Sequence, residues 1–119
     1  MYWVDRTAVV LKPTEVYLAW LKSVDEDLPE ITLAQLRSNC TTLLVPQADT
    51  PEAVLSYLGE RYQALFEADL AQWEIPAEKW PQDMGLAVFW AFFEMEIHDT
   101  VLDLDDADIG VSPVFDNMM

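Results

Sequence analysis

Prolines divide this chain of 119 residues into short segments. They lie at positions 13, 29, 46, 51, 76, 81 and 113. A proline ends a helix, because its ring clashes with the preceding turn, and it cannot donate a hydrogen bond inside a sheet. Each segment therefore has room for one or two helices or strands. The 3 glycines form neither the Rossmann nor the P-loop pattern that binds nucleotide phosphates.

Two segments that stop before prolines are typical of β-strands. Trp3–Leu11 is rich in β-branched and aromatic residues and precedes Pro13, and residues 41–45 (TTLLV) precede Pro46. Between them the sequence predicts two helices. The first begins after a capping Thr14 and continues through Asp25, with an apolar face of Val16, Trp20, Leu21 and Val24. The second follows Thr32 and covers Leu33–Ser38.

A third helix has the clearest start signal in the chain. Thr50 can cap it, Pro51 suits the first helical position, and Glu52 places an acid in the first turn. We expect one long helix that ends at Ile75. Its apolar stripe keeps helical spacing over more than five turns and consists of Val54, Leu58, Tyr62, Leu65, Leu70 and Trp73.

The segment 82–104 fits either one helix or a helix followed by a strand. The Ile, Thr and Val content after Glu94 favours a helix to about Phe93 and then a strand, Glu94–Asp103, with Met95 and Ile97 facing inward. The sequence thus predicts an α+β fold, a small two- or three-stranded sheet with about four helices packed mainly on one face. We expect one domain over residues 1–104 and an acidic, mobile tail over residues 105–119.

The charge excludes several classes of partner. The chain carries 22 acids and 6 basic residues, a net charge of −16, so direct binding to nucleic acid or to an anionic membrane is disfavoured. No apolar run is long enough to cross a bilayer. We see no export signal, and the single cysteine, Cys40, is typical of a reducing compartment. The sequence therefore predicts a cytoplasmic protein.

Residues 94–108 hold seven acids, the single histidine and no basic residue. Such a field of carboxylates attracts basic surfaces. We interpret it as a binding surface for a basic protein partner, with nucleic-acid mimicry as one form, or as charge that only maintains solubility. The acids predicted to bind are Glu94, Glu96, Asp99, Asp103, Asp105 and Asp106.

The alternative function is metal binding or metal-dependent catalysis. On a strand, Glu94, Glu96 and His98 point the same way, and a mixed imidazole and carboxylate set suits a divalent transition metal. One histidine and the lack of an HExxH or HxxEH pattern weaken this reading. We predict no cofactor and no catalytic residue, and we favour a non-enzymatic protein.

Two groups of aromatic residues are candidates for contact surfaces. Trp80, between Lys79 and Pro81, is the tryptophan expected to be partly exposed and to anchor a partner, unless it packs between helices. A second group is apolar nearly all round, so it is either covered within the domain or meets a second copy in a homodimer. That group consists of Phe89, Trp90, Phe92 and Phe93.

Three stretches of the chain carry a family resemblance. WVDRTAVVLKPT, LRSNCTTLLVP and FFEMEIHDTVLDL, which together span residues 2 to about 106, resemble a family of short acidic uncharacterised proteobacterial proteins. The resemblance implies a bacterial, cytoplasmic setting. It implies no activity and no catalytic residues.

Overall fold

The computed structural model describes residues 1–24, 29–73 and 75–114. The strands are β1 Tyr2–Trp3, β2 Arg6–Pro13, β3 Thr41–Pro46, β4 Phe93–His98 and β5 Leu102–Asp103. The helices are α1 Glu15–Val24, α2 Leu33–Leu36, α3 Pro51–Gly59, α4 Tyr62–Ala71 and α5 Leu86–Phe92, with a short 3-10 helix at Ala77–Lys79. The predicted α+β class is confirmed. Within the described ranges, no helix is both long and apolar enough to span a bilayer.

The main sheet has three antiparallel strands in the order β3-β2-β4. In the central strand, Val9 pairs with Leu43 on one side and with Ile97 on the other. Alternate residues of β2 are buried, and those between them are more exposed. One face of the sheet therefore carries the core and the helices, as predicted, and the other face is open.

A second sheet of two strands, β1 and β5, extends the pairing of β2 with β4. Ala8 pairs with His98, whereas Trp3 pairs with Leu102. Between these two pairs, the chain from Trp3 to Ala8 is one residue longer than the chain from His98 to Leu102. An extra residue on one side of a pair is the signature of a β-bulge. The prediction of one strand over Trp3–Leu11 is wrong, because the chain leaves the ladder between β1 and β2. We call the β1–β5 pair the ribbon.

The predicted long helix after Thr50 is wrong. Its start is confirmed, since the Thr50 hydroxyl accepts a hydrogen bond from the Ala53 N–H at 3.2 Å. The helix ends at Gly59, and a second one begins at Tyr62. The apolar stripe is compatible with one straight helix, so its spacing does not reveal the break. In α4 the fully buried residues are Phe66 and Leu70, one turn apart.

The first two helices also differ from expectation. The Thr14 hydroxyl donates to the Ala91 carbonyl at 2.5 Å and so ties α1 to α5. Val16 is 50% exposed, because the buried face of α1 is instead Tyr17, Leu18 and Leu21. The predicted end at Asp25 lies outside the described residues. Helix α2 is shorter than predicted, ending at Leu36, but Thr32 does cap it.

The change from helix to strand predicted near Phe93 is confirmed, although the strand ends at His98 rather than Asp103. At this junction aromatic rings from four elements pack together and form much of the core. Phe89, Phe92 and Phe93 are buried within the chain, and Trp90 is half-buried. Three of the four rings are therefore covered inside the domain. The homodimer through Phe89, Trp90, Phe92 and Phe93 stays a prediction that this burial does not support.

The predicted tail begins beyond the ribbon. Residues 105–114 are exposed and form no helix or strand. Residues 115–119 lie outside the described part of the chain. The mobility of this tail stays a prediction.

Candidate functional site

Strand β4 places Glu94, Glu96 and His98 on the open face of the sheet, as the sequence predicts. The carboxylates of Glu94 and Glu96 already form ion pairs within the chain. Glu96 Oε2 lies 3.7 Å from Lys12 Nζ, and Glu94 Oε2 lies 3.5 Å from Arg37 Nη2. A hydrogen bond from His98, and then the charge of Lys12, hold the pKa of Glu96 below its usual value. The β4 acids are therefore already partnered by cations of the same chain.

The three residues of the metal hypothesis share a face but do not surround a common point. His98 Nε2 and Glu96 Oε1 are hydrogen-bonded to each other at 2.7 Å. Glu94 is directed to Arg37 instead. Among the described residues, no group of three His, Cys, Asp or Glu side chains lies close enough together to hold a metal ion.

The acids that follow β4 accept hydrogen bonds from uncharged groups instead of forming ion pairs. The Thr7 hydroxyl donates to Asp99 Oδ1 at 3.3 Å, and the Tyr2 hydroxyl donates to Asp106 Oδ1 at 3.1 Å. Asp103 Oδ1 accepts the backbone N–H of Asp105 at 2.9 Å, which stabilises a tight turn. In the described part of the chain, no lysine or arginine nitrogen lies within 4.0 Å of these carboxylates. Their charge is left for solvent or for a partner.

The ribbon also exposes apolar side chains. Trp3 is 76% exposed and Leu102, directly opposite it, is 43% exposed. Tyr2 pairs with Asp103 on the other face of the ribbon. One face is therefore apolar, and the other carries a hydroxyl and a carboxylate.

The exposed tryptophan is thus Trp3, whereas the sequence favoured Trp80. Trp80 is half-buried, its ring packs against the core, and its indole N–H donates to the Ile75 carbonyl at 3.1 Å. The pattern around Trp3 resembles that of a buried strand. In the structure Trp3 pairs with Leu102, a contact that no local signal in the sequence reveals.

A pocket that the sequence did not indicate lies where α1, β3 and α4 meet. Asp69 receives two hydroxyl hydrogen bonds, from Tyr17 at 2.6 Å and from Thr41 at 2.8 Å. Burial, and then the negative charge of Asp69, raise the pKa of Tyr17 well above its usual value. The cavity beside Asp69 has a volume of about 260 Å³. We call it the Asp69 pocket; its polar and aromatic lining includes Tyr17, Gln35, Thr41, Asp69, Gln72 and Trp73.

Cys40 lies at the edge of this pocket. Its thiol donates to the Arg37 carbonyl at 3.3 Å, and burial raises its pKa. A thiol that is held protonated is a poor nucleophile. Cys40 is half-buried, and its protonated thiol indicates an inert rather than a catalytic role.

No protein-family model, curated protein or solved structure matches this chain. The resemblance to short acidic proteobacterial proteins stays a prediction. Two regions offer exposed or enclosed groups that a ligand can reach: the ribbon with its following acids, and the Asp69 pocket. Function is argued from these regions.

Proposed function

We propose that this protein is a non-enzymatic, cytoplasmic interaction domain that binds a basic protein partner through the ribbon. One observation carries the proposal. The ribbon exposes the cross-strand pair of Trp3 and Leu102, and the chain that leaves β5 carries Asp105 and Asp106, which no lysine or arginine of the described chain neutralises. A protein interface typically combines an aromatic anchor with a polar rim, and this segment supplies an exposed tryptophan and unpaired carboxylates.

The free acids favour the ribbon over strand β4. A basic partner that approaches β4 must compete with Lys12 and Arg37 for Glu96 and Glu94. At Asp105 and Asp106 it meets carboxylates whose contacts are a backbone N–H and the Tyr2 hydroxyl. Those contacts leave carboxylate lone pairs available for N–H donors of a lysine or arginine.

The charge of the whole chain supports the same choice of partner. A net charge of −16 attracts a basic protein over distances of about a Debye length and speeds the encounter. The apolar pair then contributes affinity that does not depend on salt. If the partner itself binds nucleic acid, the carboxylates occupy the place of phosphates, and the domain acts as a competitor.

The test is a capture experiment with a matched pair of charge-reversal variants. The protein is immobilised and exposed to lysate of its source organism at low and at moderate salt, and retained proteins are identified by mass spectrometry. The ribbon variant carries Asp105→Lys and Asp106→Lys. The control carries Asp49→Lys and Glu78→Lys, two acids that are exposed elsewhere and make the same charge change.

We expect the parent and the control to retain the same basic protein, which is released as salt rises. The ribbon variant and Trp3→Ala are expected to lose it. Equal losses in both charge variants would mean that net charge alone attracts the partner. Retention by the ribbon variant would contradict the proposal.

A further inference from the structure

We infer that the Asp69 pocket binds an alkyl chain that ends in an ammonium or guanidinium group. This inference is independent of the proposed function, since the pocket and the ribbon lie at opposite ends of β2. The pocket is lined by Leu11 of that strand, and Trp3 lies eight residues earlier in the chain. At about 3.3 Å per residue the two sites are roughly 25 Å apart.

The part of the polar lining around Asp69 presents hydrogen-bond acceptors to a ligand. The hydroxyl protons of Tyr17 and Thr41 are both donated to Asp69, and the side chain of Trp73 also hydrogen-bonds to Tyr17. Neither hydroxyl has a proton left for a ligand, and each oxygen of the carboxylate keeps a lone pair beyond the one already used. The amides of the pocket can both donate and accept, and they belong to Gln35, Asn39 and Gln72. A ligand that fits this lining supplies several N–H donors and a positive charge.

The rest of the lining suits the stem of such a ligand. An apolar wall of the pocket is formed by Leu11, Leu36 and Phe93, and the ring of Trp73 forms another wall. Methylene groups gain free energy when they leave water for such a surface. The ring of Trp73 can also attract a cation placed over its face. A neighbouring depression shares Gln35 and Trp73 with the pocket and adds the exposed Glu30 carboxylate at its rim.

The cations of the protein do not occupy this site. Among the described residues, no lysine or arginine lines the pocket. Arg37 and Lys12 come near enough to Cys40 to act on its thiol. Both nevertheless form ion pairs on the sheet, Arg37 with Glu94 and Lys12 with Glu96. The lysines and arginines of the described chain therefore leave the pocket open to a cation from outside.

The experiment is a titration followed by ¹H–¹⁵N NMR, with the indole N–H of Trp73 as reporter. Its signal is assigned with Trp73→Phe. The probes are n-butylammonium and n-butylguanidinium, with 1-butanol as a neutral probe of the same length. The proteins are the parent, Asp69→Asn, and Asp49→Asn as a control with the same loss of charge at an exposed site.

We expect both cations to shift the Trp73 indole signal and the neighbouring backbone amides in a saturable manner, and butanol to leave them in place. Asp69→Asn is expected to weaken binding about tenfold or more, because a hydrogen bond to a charged group is lost. Asp49→Asn is expected to bind as the parent does. Equal responses to butanol, or unchanged affinity in Asp69→Asn, would overturn the inference.

A second variant covers the case in which Asp69→Asn disturbs folding. Gln72 is exposed and follows the last turn of α4, where a positive charge is favourable. Gln72→Lys places an ammonium at the mouth of the pocket without removing a buried contact. We expect it to abolish the response to n-butylammonium, and undiminished binding would count against the inference.

The source of the cation is decided by one further probe, N-acetyl-lysine N-methylamide. If this probe binds as well as n-butylammonium, the pocket accepts a lysine side chain of a polypeptide. If the backbone caps prevent binding, the ligand is a free amine. The ribbon variant is expected to keep both responses, so a failure of the interaction proposal leaves this test intact.

Discussion

The two ends of strand β2 use carboxylates in opposite ways. At the end near Leu11, Asp69 is held by the hydroxyls of Tyr17 and Thr41 inside a pocket. At the other end, the ribbon exposes the ring of Trp3 and leads into exposed aspartates. The difference shows that the number of acidic residues in a segment does not reveal what each carboxylate does. What surrounds each carboxylate decides which donors reach it: Asp69 accepts two hydroxyl protons inside a pocket, whereas the ribbon aspartates face solvent.

The acids of β4 form an intermediate case. Glu94 and Glu96 are exposed, as the ribbon acids are, but lysine and arginine side chains of the same chain accompany them. Exposed ion pairs of this kind contribute little to stability. They also lessen the charge that the open face of the sheet presents to a partner.

The two ends of β2 should differ most in the free energy of unfolding that is lost when an aromatic ring is removed. Phe93 lines the pocket and is 2% exposed, with ring contacts to Tyr17, Phe66 and Phe89. Phe93→Ala is expected to lower the free energy of unfolding by about 3–5 kcal/mol, because it leaves a cavity. Trp3→Ala is expected to change it by no more than about 0.5 kcal/mol. Urea denaturation measures both, and similar losses would show that the ribbon ring is part of the core.

A smaller difference should follow the loss of one hydroxyl. Tyr17→Phe keeps the buried ring but removes a 2.6 Å hydrogen bond to Asp69. We expect it to cost about 1.5–3 kcal/mol of stability, the range for bonds to charged groups. Tyr2→Phe removes a 3.1 Å bond to Asp106 in the exposed ribbon and should cost about 0.5 kcal/mol or less. Equal costs in thermal or urea unfolding would remove the distinction between the two carboxylates.

The raised pKa of Tyr17 predicts a loss of stability in alkali. In the unfolded chain the phenol ionises near its ordinary value of 10.0, whereas the folded protein retains the proton. The contribution of Tyr17 is thus complete below that pH and declines above it, by up to about 1.4 kcal/mol per pH unit. Urea midpoints of the parent and of Tyr17→Phe, compared from roughly pH 9 to 11, should converge as the pH rises. A constant gap would contradict the assignment.

The smallest effect is expected on the open face of the sheet. The pKa of Glu96 is lowered by His98 and Lys12, so its contribution is present above the ordinary value of 4.5 and is lost as the pH falls through the lowered value. Glu96→Gln should reduce the acid-side decline in stability, and salt should shrink the difference from the parent. Unfolding curves on both sides of that pH, with and without added salt, test this. No difference at any pH would show that the ion pair contributes nothing to stability.

Local signals in the sequence predicted much of the secondary structure. The capping of α3 by Thr50, strand β3 before Pro46 and the change from helix to strand at Phe93 all depend on neighbouring residues. The break between α3 and α4 could not be read from spacing, because the stripe stays regular across it.

The sites depend on contacts between distant residues, and the sequence located them only in part. It placed Glu94, Glu96 and His98 on one face of a strand correctly. The cations that partner the two glutamates, Arg37 and Lys12, come from elsewhere in the chain. Asp69 accepts hydrogen bonds from Tyr17, 52 positions away in the sequence, and from Thr41, 28 positions away. No local sequence pattern predicts either contact.

The most direct test of the interaction account is the NMR footprint of the captured basic protein on the ¹⁵N-labelled chain. The account predicts that signals from β1, from residues 102–107 and from the Trp3 indole shift most, and that the footprint weakens as salt rises. A footprint centred on Glu94 and Glu96, or on the helices with the Trp3 signal unmoved, would contradict it.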